Sequence, residues 1–278
     1  MAAFTVERTD SPTDALAAAG AHLATDPIRH NLVLTLLHNR AAHPEPGRYW
    51  VVREGTRPAG IVLQSPLDFA ATATPMAAAA IGAAVDDIVG AGVRLPGVTG
   101  EALTAARFAG HWTERTGTGA WPVQGQRLYE VDEVVTRPAP GGRERAATAD
   151  DVDLVIRWFE AFGAEIGDAR DDLAPLVTRR LTAGHLWLWE HDGPAALAAV
   201  SDPVVGVARI GPVYTPPERR GRGYGSALVA ARSAAVRARG TRCILYADLA
   251  NPTANSIYRR LGYRAVAEAL RYRFDQPE

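Results

Sequence analysis

The chain has 278 residues, enough for one large domain or two ordinary ones, and its 47% hydrophobic and 22% charged residues are those of a globular protein. A formal net charge of −1 provides no global field for nucleic acid or an anionic membrane, and the single cysteine, Cys243, excludes a disulfide framework within the chain. Lysine is absent, which removes the Walker lysine, the kinase strand lysine and Schiff-base chemistry.

The opening MAAFTVERTD has no basic stretch before an apolar core, and no apolar run reaches the ~18 residues of a membrane span. The expectation is a cytoplasmic protein without a signal peptide or membrane partner. Ser11-Pro12 reads as a helix start, with helical spacing continuing through Arg40. RYWVVREGTRPAGIVLQSP, Arg48 to Pro66, reads as a strand, a charged turn with glycine, a second strand and a polar stop. An alanine-rich helix is expected over Met76 to Gly90, then a short strand and a helix over Arg94 to Gly117. TRPAPGGRER, Thr136 to Arg145, has the prolines and glycines of a linker.

The pattern then repeats. Thr148 with Asp151 three residues on is a capping signal, and helical spacing follows through Thr182. HLWLWEHDGPAALAAVSDP, His185 to Pro203, is a second strand–turn–strand unit. VARIGPVYT, Val207 to Thr215, reads as a strand in which Pro212 marks a bulge or an edge. A helix is expected over Ser226 to Gly240, and a strand and helix over Thr241 to Leu261. One α/β unit therefore occurs twice, with expected domains at 1–137 and 146–278 and a linker at 138–145.

The halves differ at one place. The second carries ERRGRGYGSAL, Glu218 to Leu228, where the first has LDFAATATPM, Leu67 to Met76, without glycine or arginine. The Gly/Arg loop joins a strand to a helix start. Gly221, Gly223 and Gly225 let backbone N–H groups converge, and the helix dipole adds partial positive charge, which suits a phosphate or pyrophosphate. Ser226 occupies the place of the third glycine of a dinucleotide fingerprint, and a Walker loop needs lysine. Both of those cradles fail.

What remains is Arg-x-x-Gly-x-Gly, here Arg220, Gly223 and Gly225, followed by NPTANSIYRRLGYR with Asn251, Ala254, Tyr258, Gly262 and Tyr263. In this order and spacing the two motifs resemble those of the GCN5-related N-acetyltransferases, over roughly Arg143 to Phe274. The resemblance implies two tandem domains of an α/β (α+β) class, each a mixed, mostly antiparallel sheet flanked by helices. The first would be a degenerate copy, since it lacks the loop and a tyrosine matching Tyr258. It implies acetyl-CoA as cosubstrate and an amine of a small molecule or peptide as acceptor, with no metal and no nucleic acid.

The resemblance also assigns roles. Backbone amides from Arg220 through Gly221, Arg222, Gly223, Tyr224, Gly225 and Ser226 would hold the pyrophosphate, with Arg219, Arg220 and Arg222 adding charge. Val213, Tyr214 and Thr215 would pair their backbone with the pantetheine arm, and an amide near Val213 would stabilise the oxyanion. Asn251 and Asn255 would face the pantetheine or order their helix. Tyr258 would protonate the departing thiolate. For the base, Glu165 borders the helical stripe of Val155, Trp158 and Phe162, where the family's acceptor pocket lies; water is the alternative. Cys243, in an apolar strand, reads as an inert buried thiol rather than an acetyl carrier. A non-catalytic acyl-CoA sensor and a transferase of longer acyl chains stay open, as do the acceptor and the oligomeric state.

Overall fold

A computed structural model describes residues 4–136, 138, 140–167 and 172–275. The first stretch folds as β1 (Phe4–Thr9), α1 (Pro12–Leu23), α2 (Asn31–Ala42), β2 (Arg48–Glu54), β3 (Arg57–Gln64), β4 (Ala71–Ala73), α3 (Ala78–Gly90), β5 (Gly97–Glu101), α4 (Ala102–Thr116) and β6 (Ala120–Val131). The second folds as β7 (Arg143–Ala146), α5 (Val152–Ile166), α6 (Ala174–Thr182), β8 (Leu186–Glu190), β9 (Pro194–Val200), β10 (Val207–Tyr214), α7 (Tyr224–Ala238), β11 (Arg242–Asp248), α8 (Pro252–Arg260) and β12 (Arg264–Phe274).

The helix starts follow local chemistry. Ser11 accepts the Asp14 N–H at 3.2 Å and Pro12 occupies the first turn, where its missing N–H costs nothing. Thr148 and Asp151 form a capping box ahead of α5, with Asp151 accepting the Thr148 N–H at 2.7 Å. The helical spacing expected through Thr182 resolves into two helices. α5 stops where Gly167 takes a left-handed φ of +68°, and α6 restarts at Ala174.

The internal repeat is visible as topology. In each unit three antiparallel strands lead into a parallel pair: β4 beside β5 in the first, β10 beside β11 in the second. A helix crosses over between the members of each pair, α3 in one case and α7 in the other. This is the mixed, mostly antiparallel α/β class expected from the motifs.

The division into units follows contacts rather than chain order. One unit runs to Leu128 and regains Ala247–Ala250 and the chain from Val266 onward; the other comprises Tyr129–Tyr246 and Asn251–Ala265. Consecutive domains at 1–137 and 146–278 do not describe this exchange. β12, last in sequence, lies antiparallel to β5, with Ala269 opposite Glu101 and Arg273 opposite Gly97. Its Phe274 stacks on Trp112 at 4.9 Å and on Phe108 at 6.4 Å, in the core of the first unit. The last residues read as linker are strand: Arg143 and Arg145 lie in β7, opposite Glu190 and Leu188 of β8.

In the second unit α5 and α6 cover one sheet face through Val155, Trp158, Phe159, Val177, Leu186, Leu188, Leu197, Ala199 and Tyr214. α7 packs against β8, β9 and β10. Arg145 ties β7 to both Asp151 and Glu190, and Arg232 lies 3.6 Å over the Trp187 ring while bonding Glu144 at 2.6 Å.

Candidate functional site

β10 and β11 pair as parallel neighbours only at Val207–Arg242, Ala208–Cys243, Arg209–Ile244 and Ile210–Leu245. At that point β10 changes register against β9, between Ile210 and Val213. Gly211 takes a φ of +145° and Pro212 removes a ladder donor, so the bulge anticipated at Pro212 is where the two strands part. Beyond it Val213 and Tyr214 stay paired to Ala198 and Leu197 of β9, while among the described residues neither pairs with β11. A backbone edge without a strand neighbour can accept an extended ligand as an added strand. The matching pair in the first unit does not part: all three residues of β4 pair with β5.

The Gly/Arg loop follows directly. Gly221 and Gly223 have φ of +76° and +83°, the left-handed region that a side chain disfavours. Gly223 is the N-cap of α7, and the first helical bond is Ala227 N–H to Gly223 C=O at 2.9 Å. The amides of Tyr224, Gly225 and Ser226 therefore precede the i→i−4 ladder and face outward at the positive end of a 15-residue helix. A Cβ on Gly225 would come within 2.8 Å of Thr215 Oγ1, so glycine there lets α7 start against the end of β10.

The arginines are not alike. Arg219 donates to the Asp192 carbonyl at 2.9 Å and ties the loop to the β8–β9 turn. Arg220 donates to the Thr215 carbonyl at 2.9 Å and to Glu165 Oε1 at 2.5 Å, with its guanidinium 5.9 Å from the Tyr214 ring centre. Arg222 is exposed. Tyr224 is buried with its hydroxyl 2.6 Å from His191 Nδ1, so its side chain anchors α7 and only its backbone faces the loop. Sequence reasoning missed His191, which carries no local pattern. Tyr214 likewise points into the α5/α6 core against Trp158.

Glu165 sits near the end of α5 with its side chain 45% exposed, paired with Arg220. Its carboxylate is thus engaged by a cation beside Tyr214.

The second motif resolves into separate jobs. Asn251 caps α8 by accepting the Ala254 N–H at 2.9 Å. Asn255 is buried; its Nδ2 donates to the Asn251 carbonyl at 2.7 Å and its Oδ1 accepts the Tyr129 hydroxyl at 2.9 Å. Both asparagine side chains order the helix. Gly262 has a φ of +94°, and a Cβ there would lie 2.5 Å from the Glu133 carbonyl oxygen. Tyr263 is buried, with its hydroxyl 2.7 Å from Ser233 Oγ and 3.5 Å from Cys243 Sγ. Burial pushes the Cys243 thiol up, so it stays a neutral thiol in the core.

Tyr258 lies between Tyr129 and Tyr263, with ring centres 6.2 and 5.9 Å away. It keeps some accessible surface, yet protein surrounds it closely enough that desolvation pushes its hydroxyl up to about 12. It is therefore a protonated donor at neutral pH.

Comparison with known proteins agrees with this geometry. Residues 193–272, which span β9 to β12 and hence both motifs, match the family model described as FR47-like protein. Several solved structures that resemble the whole chain are acetyltransferases. The fold is that of the GCN5-related N-acetyltransferases. An acetyltransferase of this family from Colwellia psychrerythraea superposes with a TM-score of 0.63 at 11% identity, covering 98% of this chain and 100% of that one. A GCN5-related N-acetyltransferase from Sphaerobacter thermophilus gives 0.62 at 17% identity, covering 97% and 95%. A tandem protein of this fold from the clavulanic acid biosynthesis pathway gives 0.58 at 13% identity, covering 99% and 100%. No curated protein sequence matches the chain. Among the described residues of this N-acetyltransferase fold, no group of three or more histidine, cysteine or acidic side chains could hold a metal, and no helix is long and apolar enough to cross a membrane.

Proposed function

We propose that the second unit binds acetyl-CoA where β10 and β11 part and transfers its acetyl group to an amine by direct attack on the thioester. The parting of the strands at Ile210 and Leu245, leading to free amides at the start of α7, carries this reading. The Arg220 N–H donates to the Pro217 carbonyl at 3.2 Å, so the amides of Gly221 to Ser226 hold the pyrophosphate, with exposed Arg222 supplying positive charge. The β11-facing edge of Val213, Tyr214 and Thr215 receives the pantetheine arm. An amide at Val213 faces the oxyanion.

In the reaction the acceptor nitrogen bonds to the acetyl carbon, the carbon–sulfur bond breaks, the leaving thiolate takes the proton of Tyr258, and the extra proton on the acylated nitrogen returns through water to the Tyr258 oxygen, leaving a neutral amide and a free thiol. The ammonium proton leaves the nitrogen before attack. We assign that step to water, because the Glu165 carboxylate is held by Arg220. Glu165 then serves as a positioning residue that fixes Arg220 across Tyr214. Help from Tyr258 amounts to roughly tenfold to ten-thousandfold, since a thiolate of pKa ~8.5 is already a fair leaving group.

The experiment is release of free CoA thiol from acetyl-CoA across an amine library, run beside acetyl-CoA thermal shift. Acceptor-dependent thiol release supports the transferase. A thermal shift with no acetylated product from any amine would return the sensor alternative, and preferential stabilisation by longer acyl-CoAs would return the longer-chain one.

A further inference from the structure

Arg209 lies one residue before β10 and β11 part, and its direction can be read twice. Its carbonyl accepts the Ser201 N–H at 2.9 Å and its N–H donates to Ser201 Oγ at 3.0 Å, so the two residues are opposite one another. Ser201 follows Leu197 and Ala199 in alternation, and both of those face α5 and α6. On the other side Arg209 neighbours Ile244, whereas Ala208 neighbours Cys243, which contacts Tyr263 from the opposite face. Both routes place the Arg209 side chain on the α5/α6 face, the same face as Tyr246 two residues beyond Ile244.

The environment there is unusual for a cation. Trp158, Tyr214, Leu197 and Ala199 make that face apolar, and no carboxylate among the described residues pairs with Arg209. Most other arginines of the second unit that face protein, such as Arg145, Arg220, Arg232 and Arg242, have an acidic partner. Protein surrounds Arg209 closely enough that desolvation lowers its guanidinium pKa, with Tyr246 as the nearby acidic group opposing the shift, yet part of its surface stays accessible. Arg209 is thus a half-buried cation on an apolar face of the sheet, beside the place where β10 and β11 part. A guanidinium does not shed its charge to escape such a place, so an uncompensated one is unfavourable unless an anion arrives.

The cofactor does not supply that anion. The start of α7 lies against the end of β10, where a Cβ on Gly225 would be 2.8 Å from Thr215 Oγ1 and 3.8 Å from Val213 Cγ1, and from Arg209 to Val213 is four strand residues, about 13 Å. The pyrophosphate therefore lies beyond reach of a salt bridge to Arg209. The place where the strands part, and where the reacting carbonyl would sit, is next to it.

We propose that Arg209 recognises an anionic group on the acceptor, so that the amine substrate is a small molecule carrying a carboxylate or phosphate besides its amine. This rests on the acetyl-transfer reading above and specifies its substrate. The planar fork of Arg209 binds the anion in bidentate fashion and thereby aims the amine at the thioester.

The test uses matched acceptor pairs that differ only in charge: 4-aminobutyrate against 4-aminobutyramide for carboxylates, and aminoethyl phosphate against ethanolamine for phosphates. Each is assayed with wild type and with Arg209→Met and Arg209→Lys, by thiol release and by thermal shift of the CoA-bound protein. The expected result is at least a tenfold preference in kcat/KM for one or both anionic members. Arg209→Met should erase it through KM and abolish stabilisation by the anionic compound. Arg209→Lys should restore part of it. Which pair shows the preference distinguishes carboxylate from phosphate. The thermal shift reads anion binding without turnover, so absence of thiol release alone counts against acetyl transfer and not against Arg209. Equal rates and equal shifts for charged and neutral members in wild type, or a preference that survives in Arg209→Met, overturn the proposal.

Discussion

Ile210 and Leu245 are the last residues at which β10 and β11 lie side by side; past them the parallel pair opens while β10 stays attached to β9. The corresponding pair in the first unit, β4 and β5, stays closed over all of β4. α3 begins after Ala77, and among the described residues no left-handed glycine stands at its start, unlike Gly223 at the start of α7.

The cradle is testable at Gly225. A valine there would drive its side chain into Thr215, whose Oγ1 lies only 2.8 Å from the position its Cβ would take. Gly225→Val should lose the acetyl-CoA thermal shift while the unliganded protein melts within a few degrees of wild type. An unchanged shift would remove Gly225 from the binding site.

Gly262 separates folding from binding. Its φ of +94° and the 2.5 Å approach of the Glu133 carbonyl leave no room for a methyl group. Gly262→Ala should destabilise the protein by about 1–3 kcal/mol in denaturant titration. No loss of stability would mean that the turn after α8 yields readily to an added side chain.

Tyr258→Phe should lower kcat by roughly tenfold to ten-thousandfold and leave the acetyl-CoA shift intact. Because burial raises the hydroxyl to about 12, above its ordinary value near 10, the folded state favours the protonated form. The associated stability is fully present below pH 10 and is lost as pH rises from 10 toward 12. Wild-type kcat should therefore show no alkaline fall from Tyr258 below about pH 10. A rate that drops with a midpoint near ~9 and disappears in Tyr258→Phe would contradict this.

Asp151 works in the opposite direction. Its hydrogen-bonded pairing with Arg145, aided by the Thr148 N–H, holds the carboxyl down at about 2 against an ordinary value of 3.8. This contribution is present above about pH 4 and is lost as pH falls through 2. The stability gap between wild type and Asp151→Asn should be constant from about pH 5 to 7 and shrink below about pH 4. A gap that is independent of pH down to about 2 would assign the effect to capping geometry instead.

The first unit draws on chain from both ends of the sequence. Phe274, close to the end of the described chain, stacks in the core with Trp112 and Phe108 of the first unit, so Phe274→Ala should cost about 3–5 kcal/mol. A fragment starting at 138 lacks Tyr129, the donor to buried Asn255 in α8. It should be poorly soluble and inactive. A soluble, fully active fragment would contradict the exchange.

The sequence disclosed local features well. The two hairpins, the bulge at Pro212, the capping box at Thr148 and the glycine loop are written in neighbouring residues, and each is found at its expected place. What escaped it is non-local. Nothing near Phe274 says that β12 pairs with β5, because strand partners are chosen by register and core fit across the whole chain. The same limit hid the Tyr129–Asn255 bond, the Tyr224–His191 bond and the strand inside the proline-glycine segment. Arg209 reads as one polar residue in an apolar strand until its face and its lack of an acidic partner are seen. Glu165 is found by helical spacing, but its attachment to Arg220 is not, since the two lie on separate elements.

Equilibrium titration of the full chain with acetyl-CoA bears most directly on the proposed site. The expected result is one equivalent bound per chain, lost in Gly225→Val, because among the described residues β10 parts from β11 ahead of α7 whereas all of β4 stays paired with β5. No binding at millimolar acetyl-CoA, or two equivalents per chain, would contradict it.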